Sequence, residues 1–327
     1  MTNQYAISVV GLRKSYGSHL VLGGIDMHIA TGTVFALLGP NGAGKTTVVN
    51  ILSTLISGDA GEIYVAGHNL AADPQAVRAS IGVTGQFSAV DGRLTGRENL
   101  LLMADLHHLD RAEGRRRADD LLEQFDLVEA ADKLSPTYSG GMRRRLDLAM
   151  TLMGDPKLIF LDEPTAGLDP RSRRSVWRMI RQLTRSGVTV FLTTQYLEEA
   201  DELADRIALL DHGRFVAEGT ADELKRQVPG GHVRLRFDDA SGLSAAAAAF
   251  VTATRDDAAL TLHVPTNGSV AELRALLDRL DVVGRDVAEL TVHTPDLDDV
   301  FLTLTGHPAS AGAGQATTPT GGLEAAR

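Results

Sequence analysis

Residues 39–46 read GPNGAGKT, a complete G-x-x-x-x-G-K-T loop set between the apolar run TVFALL at 33–38 and the amphipathic run TVVNILSTL at 47–55. That order predicts a strand, a glycine-rich turn and a helix. Glycines let the chain curl so that successive backbone N–H groups point into one concavity, and the helix adds its positive N-terminal end. A nucleoside triphosphate, ATP or GTP, matches that cradle. Its binding residues are then Gly39, Pro40, Asn41, Gly42, Ala43, Gly44, Lys45, Thr46 and Thr47. Lys45 neutralises charge on the outer phosphates and the Thr46 hydroxyl suits Mg²⁺.

Two further segments narrow the chemistry. LIFLDEP at 158–164 is an apolar strand ending in two carboxylates. Asp162 suits the Mg²⁺ shell, through a water, and Glu163 suits polarising an attacking water. YSGGMRRRLDLAM at 138–150 places Ser139, Gly140 and Gly141 at a helix start, which is a second anion site or simply a helix cap. Arg143, Arg144 and Arg145 either bring positive charge near a second nucleotide or form an ordinary solvated face of that helix, the safer reading.

The 327 residues leave room for one domain of roughly 200–250 residues and a smaller one. A formal net charge of −10 argues against a general grip on nucleic acid. The absence of cysteine removes disulfides and thiolate metal sites, and suits a reducing compartment. No stretch approaches the roughly 18–20 apolar residues of a spanning helix, and the polar start MTNQYAIS does not read as a signal peptide. The expectation is a soluble chain that reaches a membrane through a partner. His107 and His108 are adjacent, so on a helix they diverge by ~100° and form no metal-ligand pair. No protein-built transition-metal site is expected.

The fold class expected is α/β. Short strands and glycine turns at 7–67 suggest antiparallel strands leading into the phosphate-loop strand, and 98–155 carries helical spacing. Strand and helix patterns then alternate, indicating a parallel core. The turn cluster QVPGG at 227–231 marks a boundary. The predicted organisation is a nucleotide-binding domain at 1–228 with a helical subdomain at about 86–156, then an α+β unit at 229–306. A disordered tail is predicted at 307–327.

GPNGAGKTT, the lone glutamine in VTGQFS, YSGGM, LIFLDEP and TAGLDP occur in the order and spacing of the ATP-binding-cassette (ABC) ATPases of transporters, which the chain resembles over about 7–225. VTGQFSAVDGRLTGRENL, TTQYLEEADELADRIALLDHGR and a terminal LDDVF look like the ATPase subunits of daunorubicin-resistance-type drug exporters. The resemblance implies a P-loop ATPase core of mixed sheet and helical subdomain, which binds ATP with Mg²⁺ and drives a separately encoded membrane permease. It places the chain peripherally on the cytoplasmic face of the membrane.

It also implies roles for individual residues. Tyr16 stacks on adenine, Gln86 senses Mg²⁺ and the water beside the permease, and Asp169 crosses to a second subunit or caps a helix through Asp169-Pro170. The Ser139 turn serves ATP held by another copy, so turnover requires a dimer. The chain departs from the family at Gln195, where most members carry a histidine; a glutamine can donate and accept but not become cationic. Met142 replaces a common glutamine without removing the backbone donors. The competing function, a soluble ABC ATPase acting on ribosomes or DNA, predicts paired cassettes or a long heptad insert, and neither is present.

Overall fold

The computed structural model describes residues 5–85, 89–228, 231–266, 268–283 and 287–306. In chain order, β1 (Tyr5–Tyr16), β2 (His19–Ala30) and β3 (Val34–Leu38) precede α1 (Lys45–Leu52), β4 (Ala60–Val65), β5 (His68–Asn69), α2 (Pro74–Ser80) and β6 (Ile81–Thr84). The helices α3 (Gly96–Leu106), α4 (Arg111–Gln124) and α5 (Gly140–Thr151) follow. Then come β7 (Leu158–Asp162), α6 (Pro170–Arg185), β8 (Thr189–Thr194), α7 (Leu197–Leu203), β9 (Arg206–Asp211), β10 (Arg214–Gly219) and α8 (Ala221–Gln227). The last stretch holds β11 (His232–Arg236), α9 (Ala240–Ala249), β12 (Thr254–Asp256), β13 (Thr261–Pro265), α10 (Val270–Val283), β14 (Glu289–His293) and α11 (Leu297–Thr305).

The strands build three sheets, ordered β2-β1-β4-β5, β10-β9-β3-β8-β7-β6 and β12-β13-β11-β14. The opening strands therefore make an antiparallel sheet of their own instead of running into that of β3. In the second sheet β9, β3, β8, β7 and β6 are mutually parallel, and β10 pairs antiparallel at the edge.

The parallel strands are apolar runs because both of their faces are covered. Phe35 and Leu37 of β3, Leu158 and Phe160 of β7 and Phe191 of β8 point into a core shared with α1 and the first sheet. Their alternating neighbours Val34, Ala36, Leu38, Ile159, Leu161, Val190 and Leu192 point into a second core with α3 to α7. The period-two alternation of a strand thus splits each run between two cores. Phe191 sits between Phe35 and Phe160, with ring centroids 5.6 and 5.5 Å away.

The helices start where the local chemistry dictates. Thr95 and Glu98 close a capping box on α3, Thr220 and Glu223 on α8, and Asp296 and Asp299 on α11. Asp110, Ser139 and Asp169 cap α4, α5 and α6 through their side-chain oxygens.

Beyond α8, Val233, Leu235, Leu262 and Val264 of the third sheet pack with Leu243 of α9 and Leu276 and Leu280 of α10 in a separate core. The final helix leaves that unit. Leu297, Val300 and Phe301 of α11 join the second core beside Leu203, Leu224 and Val228. The tail expected at 307–327 lies outside the described residues. Among those that are described, no helix is long and apolar enough to cross a membrane.

Candidate nucleotide site

The site forms where β3, β7 and β8 end, the carboxyl edge at which parallel sheets bind ligands. β8 lies between the other two, with Leu38 beside Thr194 and Asp162 beside Thr193. One edge thereby presents the phosphate loop, the acid pair and Gln195 together.

Two glycines of the loop leave no room for a side chain. A Cβ on Gly39 would sit 2.3 Å from the Leu210 carbonyl oxygen. Gly44 has φ +110° and closes against Leu22, 2.9 Å from where its Cβ would be. Gly44 is also the N-cap of α1 and supplies no side-chain cap, so the first-turn amides are left to a ligand. Lys45 is buried, its ammonium donating to the carbonyls of Gly39 at 2.7 Å and Pro40 at 3.2 Å. Burial pushes its pKa down, and the charges of Glu163 and Asp162 oppose that shift.

The loop bounds a cavity of about 270 Å³ with Val21, Asn41, Gly42, Gly44, Lys45, Thr46, Thr47, Asp162 and Glu163 on its walls. Thr46 Oγ1 lies 3.3 Å from Asp162 Oδ2. Asp162 Oδ1 accepts from the Thr193 hydroxyl. Glu163 adopts φ +49° and its amide donates to the Thr193 carbonyl at 3.1 Å and to its hydroxyl at 3.2 Å. A non-glycine residue in the left-handed region at the end of a buried strand is strained, and here it turns the carboxylate into the cavity.

Other expected residues stand apart from this cavity. Ser139 and Gly140 are exposed at the start of α5, where Ser139 accepts from the Met142 amide at 3.2 Å. Gly141 is buried against Ser172, whose Oγ would lie 2.5 Å from an added Cβ. Asp169 accepts from the amides of Arg171 and Ser172, both at 3.0 Å, and from the Ser172 hydroxyl at 2.6 Å. The bond from that hydroxyl, then the amides, holds its carboxyl below the usual range. Tyr16 is 52% exposed at the β1–β2 turn, with Lys14 Nζ 5.4 Å from its ring centroid. Gln195 is half-buried between β8 and α7. Gln86 lies outside the described residues.

The arginine run is not a solvated face. Arg143 is exposed, but Arg144 is sequestered against Asp147, and Arg145 reaches the carbonyls of Phe125 and Asp126. Loops from other parts of the chain cover that side of α5, which helical spacing does not reveal. Glu199 was also missed. It is fully buried, accepting from the Thr165 hydroxyl at 2.8 Å and Trp177 Nε1 at 3.1 Å. Its signal was faint: YLEEADEL carries four acids, and only the phase of α7 turns one of them inward.

A larger cavity, about 1140 Å³, opens between α8 and the C-terminal unit, with Lys225, Arg226, Gly231, Thr266 and Asp296 on its walls. It shares no wall with the phosphate loop.

A glycine cradle on a helix start, an acid pair two strands away on the same sheet edge and a separate serine-glycine helix cap together define an ABC ATPase. The chain belongs to the ABC transporter ATP-binding proteins, and it is an ATPase. Residues 22–166 match the model of the ABC transporter family. The chain is 49% identical over 303 residues to daunorubicin resistance ATP-binding protein DrrA3 of Streptomyces coeruleorubidus, covering 92% of this chain and 96% of that one. It is 46% identical over 309 residues to daunorubicin/doxorubicin resistance ATP-binding protein DrrA of Streptomyces peucetius, covering 93% of each. CbiO1 of Clostridium perfringens, part of an ABC transporter complex, superposes with a TM-score of 0.63 at 27% identity, over 68% of this chain and 90% of that one.

Proposed function

We propose that two copies of this chain face one another across two ATP molecules and drive a separately encoded membrane permease that exports a drug or secondary metabolite. One observation carries the dimer: the walls of the phosphate-loop cavity include none of Ser139, Gly140, Gly141 or Asp169, while Ser139 and Gly140 are solvent-exposed. A two-fold axis bringing the exposed α5 start of one copy over the loop of the other completes both sites at once. In that closed state the Ser139 turn binds the outer phosphates and Asp169 lies at the subunit boundary.

Within each site Lys45 binds the phosphates, Glu163 polarises the attacking water and Gln195 orients Glu163. Tyr16 stacks on the adenine ring. The donors of Thr46 and Asp162 are hard oxygens, the set that Mg²⁺ takes. A Mg²⁺ held by Thr46 and Asp162 would supply positive charge to offset that on the outer phosphates. The export reading follows the names of the two Streptomyces relatives. On this reading residues 1–228 form the cassette, with 86–156 as its helical subdomain, and 229–306 an accessory unit. The complex sits on the cytoplasmic face of the membrane.

The test uses Glu163→Gln as bait in detergent-solubilised membranes of the native host with Mg-ATP. Co-purification of a polytopic membrane protein in stoichiometric amount is the expected result. Recovery of only ribosomal or DNA-bound partners would overturn it.

A further inference from the structure

The ion pair within α5 has no part in the assignments above. Arg144 Nη1 lies 3.2 Å from Asp147 Oδ2, with the two side chains 10% and 3% exposed. Their other hydrogen bonds mostly leave the helix. Asp147 Oδ1 accepts from the Ala89 amide at 3.1 Å, and Arg144 Nη1 donates to the Gly85 carbonyl at 3.3 Å. The two stems that enter and leave residues 86–88 are thus each held by one partner of a single ion pair. On its other side the guanidinium donates from Nε to the Pro164 carbonyl at 2.8 Å and from Nη2 to the Asp162 carbonyl at 3.4 Å. Those carbonyls belong to the residues on either side of Glu163.

The rigid planar fork of arginine allows this, because its donors keep fixed angles while addressing three chain segments. Stability alone is a poor reason for the arrangement: an apolar pair of similar volume in a buried site is often as stable or more so. Leu146 and Leu148 on the same helix show that apolar side chains are accommodated nearby.

We propose that Arg144 and Asp147 are positioning residues for hydrolysis, fixing the backbone on both sides of Glu163 in register with the Gly85 and Ala89 stems. The helix that begins with Ser139 is thereby tied to the backbone on both sides of the water-activating carboxylate. Neither residue is on the walls of the phosphate-loop cavity, so the pair governs the rate of hydrolysis and leaves nucleotide affinity alone.

The full-length chain is tested as Arg144→Lys and as the double variant Arg144→Met/Asp147→Leu. Titration with a fluorescent ATP analogue gives affinity and the number of competent sites, and single-turnover hydrolysis is expressed per competent site, so that any misfolded fraction drops out. The double variant removes both buried charges but leaves the Gly85, Asp162 and Pro164 carbonyls and the Ala89 amide without these partners, so its melting temperature is expected to fall, and normalising to competent sites separates that loss from chemistry. Its hydrolysis per site should fall by about tenfold or more with affinity within about twofold, the signature of a group acting only in the chemical step. Arg144→Lys keeps the charge but loses the fork, and its rate should be intermediate. If the double variant yields no competent sites, Arg144→Lys decides: a reduced rate at unchanged affinity supports the proposal. Wild-type hydrolysis per site, or a loss explained by weakened affinity, overturns it.

Discussion

The hydroxyl of Thr193 donates to Asp162 Oδ1 while accepting from the amide of Glu163. One side chain on β8 therefore orients both acids at the end of β7. Thr193→Val keeps the shape but leaves the buried Asp162 oxygen without that donor, which costs about 1–3 kcal/mol. Urea unfolding is expected to show that loss, and single-turnover hydrolysis should slow with it.

Gly44 combines φ +110° with a close approach to Leu22. Gly44→Ala meets both penalties in the residue that caps α1, and the loop must deform. ATP affinity is expected to fall by about tenfold or more, equivalent to about 1.4 kcal/mol or more. Calorimetric titration against the non-hydrolysing Glu163→Gln protein, with and without Gly44→Ala, reads the effect directly.

Gln195 leaves β8 at the edge that carries Asp162 and Glu163. Gln195→Ala removes both amide functions and should lower the single-turnover rate by about tenfold or more, in the range of general acid–base contributions, without changing ATP affinity. Gln195→His supplies a ring that can likewise donate and accept, and is expected to keep activity that Gln195→Ala loses. An unchanged rate in Gln195→Ala would remove this residue from the mechanism.

The pKa of Glu199 is raised by burial, opposed by the hydroxyls of Thr194 and Thr165, the Trp177 indole and the charge of Arg173. Between the unfolded value and this higher folded one, the folded state holds the extra proton, so stability falls as pH rises through that interval. The penalty is complete above the folded value and absent below the unfolded one. Glu199→Gln stays neutral throughout. Its melting temperature relative to wild type should therefore increase as pH is raised from about 5 to about 8. A difference that stays flat would show that burial does not raise the Glu199 pKa above its unfolded value.

The local features were legible because they depend on neighbours in sequence. The phosphate loop, LDEP, the Asp169-Pro170 cap and the Ser139 cap all follow from residue type and spacing. What escaped depends on chain segments far apart. Arg144 looks solvated until the carbonyls of Gly85, Asp162 and Pro164 close over it. The parallel apolar runs could not show which alternate residues belong to which core, since both faces are apolar. Nor could it be read that His232, His263 and His293 stack across three strands, with ring centroids 4.7 and 4.8 Å apart. The separate antiparallel sheet was hidden for the same reason, because pairing is a long-range choice and strand propensity is local.

Helix α11 ends the described chain yet lies in the core of the ATPase fold, beside α7 and α8. Domains generally fold as units while synthesis runs from the N-terminus. Leu297, Val300 and Phe301 follow the accessory unit in the chain, so the nascent cassette keeps an open apolar seam while that unit is being made. A message that stops early, even one that encodes every phosphate-binding residue, releases a chain whose seam stays unsealed.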